Sequence, residues 1–261
     1  MLKKILKYDL IYMYRCLFVF YGLAIFFSIL TRIFLGIDGA KIWEIIGKIC
    51  SGTAISMMVS ILMNNVLRIL ARYSSNLYGD ESYLMHILPG KKSTLYASKM
   101  LSTIITMVTS FSVVLLSIVV AYYTKERYDM FINAFIYKDG TIWDLLLVVL
   151  IFLLQILVIT QLGYTGIILG NRRVKLKIVF SFIYGFVSYA IAQLVMLIAI
   201  VIKATFDKDL KSMLFVAKNN MEPMDDTIKS LMIYAGVVYF LIIVATWIIN
   251  NKLFAKGINV E

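Results

Sequence analysis

Six stretches of nearly unbroken apolar sequence decide what this chain can fold into: residues 16–37, 49–67, 100–123, 143–169, 178–202 and 228–249. Each is long enough to cross a hydrocarbon core of about 30 Å at about 1.5 Å per helical residue. Inside lipid, backbone polar groups have to be satisfied within the segment or around a closed barrel. Barrel strands would be short and apolar at alternate positions, whereas these runs are apolar on all sides. The expectation is an all-α, polytopic membrane protein whose six spans form one transmembrane domain over residues 1–261. Composition agrees, because 61% hydrophobic and 16% charged residues lie outside the range of a soluble domain.

The basic residues orient the spans. Lys3, Lys4 and Lys7 precede the first run as they would in a secretory signal, but the run is too long and no small-residue cleavage site follows, so it reads as an uncut span. With them on one face fall Arg15, then Arg68, Arg72, Lys91, Lys92 and Lys99 after the second run, Arg172, Arg173, Lys175 and Lys177 after the fourth, and Lys252 and Lys256 in the tail. Only Asp9, Asp80, Glu81 and Glu261 oppose them, and acids balance bases on the other face, so the whole formal charge of +11 falls on one side. An excess of Lys and Arg marks the cytoplasmic side, which places both termini there. Trp43 and Trp143 then sit at outer ends of spans and Trp247 near an inner end, as interfacial aromatics should. The partner this charge calls for is anionic membrane lipid, not nucleic acid.

Catalytic chemistry is hard to find in the sequence. In ILPGKKSTLYASKM, residues 87–100, a phosphate-binding loop would need Gly where Met85 stands and Ser or Thr where Lys92 stands. A zinc hydrolase needs paired histidines on one helix face, and the chain has one, His86, in a polar loop with no evident nucleophile. Cys16 and Cys50 are too few for a metal site, and they fall at opposite ends of neighbouring spans, so free thiols are expected. No catalytic residue, metal or cofactor is therefore assigned. Within the spans, Arg32 lies near an outer end where it can snorkel, and the deeper polar residues are the uncharged Asn64, Asn65, Gln155, Gln161 and Gln193. Interhelical hydrogen bonding is their expected role. Gly166 and Gly170, four apart with Gly163 one turn earlier, would let another helix approach, from this chain or from a second copy.

The long connection between the second and third runs, about thirty residues, stands apart. Asp80 can cap a short helix whose Leu84, Ile87 and Leu88 share a face. Pro89 and Gly90 end it, and Ser93 can cap the next helix, through Leu95, Tyr96 and Lys99. The stretch YGDESYLMHILPGKKSTLYASKML resembles the first cytoplasmic loop of type-two ABC exporter permeases. In that family a segment ending in Leu-Pro precedes small or basic residues and a Ser/Thr-aliphatic-x-x-Ser-Lys entry into the third helix, which Leu88, Pro89, Lys91, Lys92, Thr94, Leu95, Ser98 and Lys99 match. The tail NNKLFAKGINVE, with Lys252, Lys256 and Asn259, is similar to the family's short Lys-rich tails, and MLKKILKYDLIYMYR resembles its amino-terminal interfacial helix, although Asp9 interrupts the face formed by Leu2, Ile5 and Leu6.

The resemblance implies a permease of the bacterial cytoplasmic membrane, pairing with a second permease chain, identical or not, and with a separate ABC ATPase that hydrolyses ATP. It implies that a coupling helix at 78–90 docks on the ATPase through Tyr78, Tyr83, Leu84, Ile87 and Leu88, with Asp80 and Glu81 as a charged rim. It also implies that the outer segment 203–226 carries re-entrant or gating elements, against the plainer reading of a solvated linker. Peptides, lipids and drugs are all open as substrates, with antimicrobial-peptide export or self-immunity the usual role of small permeases of this type. The rival expectation is a membrane-embedded immunity or sensor protein that acts without transport.

Overall fold

The computed structural model describes residues 2–37, 41–79, 82, 92–122, 142–173, 175–207, 210–211 and 225–255. Its regular elements are six helices: α1 (Leu2–Leu35), α2 (Lys41–Tyr78), α3 (Lys92–Tyr122), α4 (Ile142–Gly170), α5 (Lys177–Phe206) and α6 (Asp225–Ala255). All six contain stretches long and apolar enough to cross a membrane, and the protein is a multi-pass membrane protein. The helices outrun the apolar runs that announced them. The N-terminal segment expected as a separate interfacial helix is continuous with the first span in α1, 34 residues and about 51 Å long. Arg68 and Arg72, expected in a loop, lie on α2, which carries on to Tyr78.

The chain divides into two compact units, Met1–Phe131 and Ile132–Glu261. In the first, α1 packs against α2 and α3. The buried positions of α1 are Asp9, Met13, Leu17, Tyr21, Ala24, Ser28 and Thr31, a stripe with steps of three and four that keeps one helix face toward its neighbours. The facing side of α3 is lined by buried Ser98, Ser102, Thr103, Thr106, Ser110 and Ser117. Ser102, Thr103 and Thr106 donate their hydroxyl protons to carbonyls one turn back, so this face is small and needs few partners from other helices. Asn65 of α2 fills the expected interhelical role: it is fully buried and its Nδ2 donates to the Thr106 carbonyl at 2.9 Å and to Ser110 Oγ at 2.8 Å. Tyr21 reaches the same Ser110 hydroxyl at 2.8 Å. Cys16 and Cys50 are free thiols.

In the second unit, α4 packs against α5 and α6 around Val158, Leu162 and Ala192, with Tyr189, Tyr239, Ile242 and Ile243 against them. A β-carbon on Gly166 would stand 2.6 Å from the Gly185 backbone, and one on Gly170 would collide with Ser181. The small-residue stripe thus brings α4 and α5 of one chain together. The return between them is tight enough that Leu176, just before α5, adopts φ 56°. Asn250 of α6, which hydropathy alone does not single out, is fully buried; its Nδ2 donates to the Gln161 carbonyl at 3.1 Å and its Oδ1 accepts from Thr165 at 2.8 Å. Arg172 donates to the Leu253 carbonyl in the last turn of α6 at 2.8 Å, which satisfies an acceptor that the helix itself cannot.

Gly166→Leu is expected to push α4 and α5 apart and cost on the order of 1–3 kcal/mol, as overpacking does. Gly22→Leu is the matched control, since nothing lies within 4 Å of a β-carbon there. Thermal melting in detergent checks this, and equal melting points for the two variants would contradict the packing.

Candidate functional site

The charged residues of the first unit converge at one end of its bundle. Asp9 sits in the third turn of α1 in register with Met13, Leu17 and Tyr21, so the helix aims its carboxylate into the protein. Lys99 approaches from α3 and donates to Asp9 Oδ1 at 2.6 Å; each side chain is 3% exposed. Asn76 and Arg72, one turn apart on α2, approach the same oxygen, Asn76 Nδ2 at 3.2 Å and Arg72 Nε at 3.5 Å. The Arg72 guanidinium also lies over the Tyr12 ring, 4.3 Å from its centroid, and so grips α1 a second time. All three helices of the unit meet at a single carboxylate oxygen.

Among the described residues Asp9 Oδ2 has no hydrogen-bond partner. Their contacts converge on Oδ1, and any shift of α1, α2 or α3 that lengthens one of them weakens the pairing of a buried charge. Taking charges out of water is expensive unless they are paired, and breaking a buried pair by removing one member costs about 3–5 kcal/mol. Among the described residues no group of three or more His, Cys, Asp and Glu side chains comes together. What the cluster can do is lock three helix ends into one geometry.

The position of that lock matters. Asn76 lies two residues before the end of α2 at Tyr78, and Lys99 lies in the third turn of α3, so the cluster joins both roots of the 79–91 connection to each other and to α1. Of the residues assigned to partner binding, Tyr78 is the last residue of α2, half-buried, with its ring 6.3 Å from that of buried Tyr73. Asp80, Glu81, Tyr83, Leu84, Ile87 and Leu88 lie outside the described residues, as do His86, Pro89, Gly90, Lys91 and nearly all of 208–224. Ser82, within that connection, is helical and buried, and its N–H donates to the Gly79 carbonyl at 2.9 Å.

Sequence reasoning missed the cluster by sorting its members separately. Asp9 was a flaw in an interfacial stripe, and Arg72 and Lys99 were topology charges. The signal was there in the spacing, since Asp9 falls four residues before Met13 on the stripe that continues into the first span. No protein-family model, curated protein or solved structure matches this chain. A functional reading therefore rests on the residues themselves.

Proposed function

We propose that this chain is the transmembrane permease subunit of an ATP-driven ABC exporter in a bacterial cytoplasmic membrane, with both termini cytoplasmic. A second permease chain completes the pathway, and a separate ATPase supplies the energy by docking on the 78–90 segment. The observation that carries the reading is the buried lock at Asp9: a connection that takes a push from a partner needs rigid roots, and here both roots are tied by ionic contacts to a third helix. Buried polar contacts of this kind have two arrangements, made or broken, and can pass a movement of the connection on to the spans. The likeness of residues 78–101 to permease loops supports the same reading. Export of a small antimicrobial peptide, or self-protection against one, suits a compact permease of this kind.

The test is recovery of a P-loop ATPase with the affinity-purified chain and stimulation of its hydrolysis by the chain in liposomes. A chain that recovers no ATPase and still protects cells would instead be an immunity or sensor protein acting without transport. Topology can be checked in the same cells. In a Cys16→Ser/Cys50→Ser background, Lys138→Cys and Lys211→Cys should react with an impermeant thiol reagent, while Lys92→Cys and Arg173→Cys should not. Labelling of the second pair and not the first would reverse the orientation.

A further inference from the structure

A groove of about 630 Å³ runs along the first half of α1, on a face other than the one that carries Asp9. Its lining comes from α1 alone: it is apolar at half-buried Leu10 and the exposed Ile11 and Phe18, and it carries the exposed cations Lys3, Lys7 and Arg15. No acidic residue is among the described residues that line it. We infer that this groove holds one anionic phospholipid, its phosphate between Lys3, Lys7 and Arg15 and an acyl chain along Leu10, Ile11 and Phe18.

Depth in the membrane favours that occupant. Arg15 and Arg32 are the only charged residues in α1 after Asp9, and the helix rises about 26 Å from one to the other, less than the roughly 30 Å of hydrocarbon. The arginines must therefore reach outward to the two interfaces, which leaves the turns just before Arg15 at the hydrocarbon edge. There Leu10 and Ile11 face acyl chains while Lys3 and Lys7, one to two turns further out, stand at the depth of headgroups. A zwitterionic lipid would place its own cation among three others, whereas an anionic headgroup is complementary to them. Cations near an anionic surface strengthen lipid binding by about fivefold each, so three converging on one headgroup give about a hundredfold.

Native mass spectrometry of the detergent-solubilised chain, titrated with phosphatidylglycerol and with phosphatidylcholine, tests the site. The expected result is a first phosphatidylglycerol bound about a hundredfold more tightly than phosphatidylcholine. Lys3→Gln/Lys7→Gln/Arg15→Gln should abolish the preference, and Lys3→Gln/Lys7→Gln alone should remove most of it. A matched triple variant of exposed lysines at other helix ends, Lys41→Gln/Lys175→Gln/Lys252→Gln, should leave it intact. Equal binding of the two lipids by the wild type, or equal loss in both triple variants, would overturn the site in favour of diffuse attraction. Glycerol phosphate at millimolar concentration should not displace the lipid, because it lacks the chain that the apolar floor receives; displacement would show an anion site and not a lipid site.

Discussion

Alanine at Asp9 is expected to destabilise the first helical unit by about 3–5 kcal/mol, because it breaks a buried ion pair and removes the carboxylate oxygen to which both Lys99 and Asn76 donate. Folded proteins have only about 5–15 kcal/mol in reserve, so this is one of the most damaging single changes open to the chain. Asp9→Asn should be little better, since a neutral amide keeps the shape but removes the negative charge from the buried pair. Asp9→Leu/Lys99→Met should recover most of the loss, as apolar replacements for buried pairs commonly do. Thermal melting in detergent measures all three against wild type. An Asp9→Ala melting curve within about 1 kcal/mol of wild type would mean that Lys99 reaches water once its partner is gone, and the lock would not exist. The recovered double variant is also the informative one for function: it should fold, bind the ATPase and stimulate its hydrolysis, yet export poorly, because its three helix ends are no longer tied by directional contacts.

How legible that lock was in the sequence depends on which physical signal each residue gave. The six helices were plain because an unbroken apolar run has no other stable form in lipid. Their ends were not. The last three turns of α2 carry Arg68, Arg72 and Asn76 beside buried Ile69, Tyr73 and Leu77, a pattern that averages to a polar loop by hydropathy but keeps the helical stripe. Asn65 was read correctly as an interhelical amide because it lies deep in a run, where an unpaired amide is costly. Asn250 escaped notice because Asn251 and Lys252 follow it and made it look like tail. Gly166 and Gly170 announced a close helix approach, but the identity of the partner, Gly185 and Ser181 of the next helix, is a property of the packed bundle and not of the motif. Asp9 and Lys99 are ninety positions apart, and nothing in either neighbourhood points to the other.

Replacing both Leu84 and Leu88 by alanine should release the ATPase and stop transport, with the spans intact. In the short helix that the sequence predicts before Pro89 these leucines would share one face, and with Tyr83 and Ile87 they are the apolar anchors of the proposed docking element. Anchors seated in a desolvated groove cost about 2 kcal/mol or more each when truncated, about thirtyfold in affinity, so two together should weaken binding on the order of a thousandfold. Asp80→Asn and Glu81→Gln lie on the rim; they should weaken binding only a few-fold, by an amount that shrinks as salt rises. The melting curve of the isolated chain should not move in Leu84→Ala/Leu88→Ala, which separates loss of docking from loss of fold. Lys91→Ala and Lys92→Ala bear on the opposite question: in a chain whose Gly-Lys-Lys is no phosphate loop, they have no nucleotide binding to remove. Co-purification of the cognate ATPase with wild type and with Leu84→Ala/Leu88→Ala decides the first point, since equal recovery would remove the docking role of this segment. ATP binding by the isolated wild-type chain would decide the second, and the permease reading would fall with it.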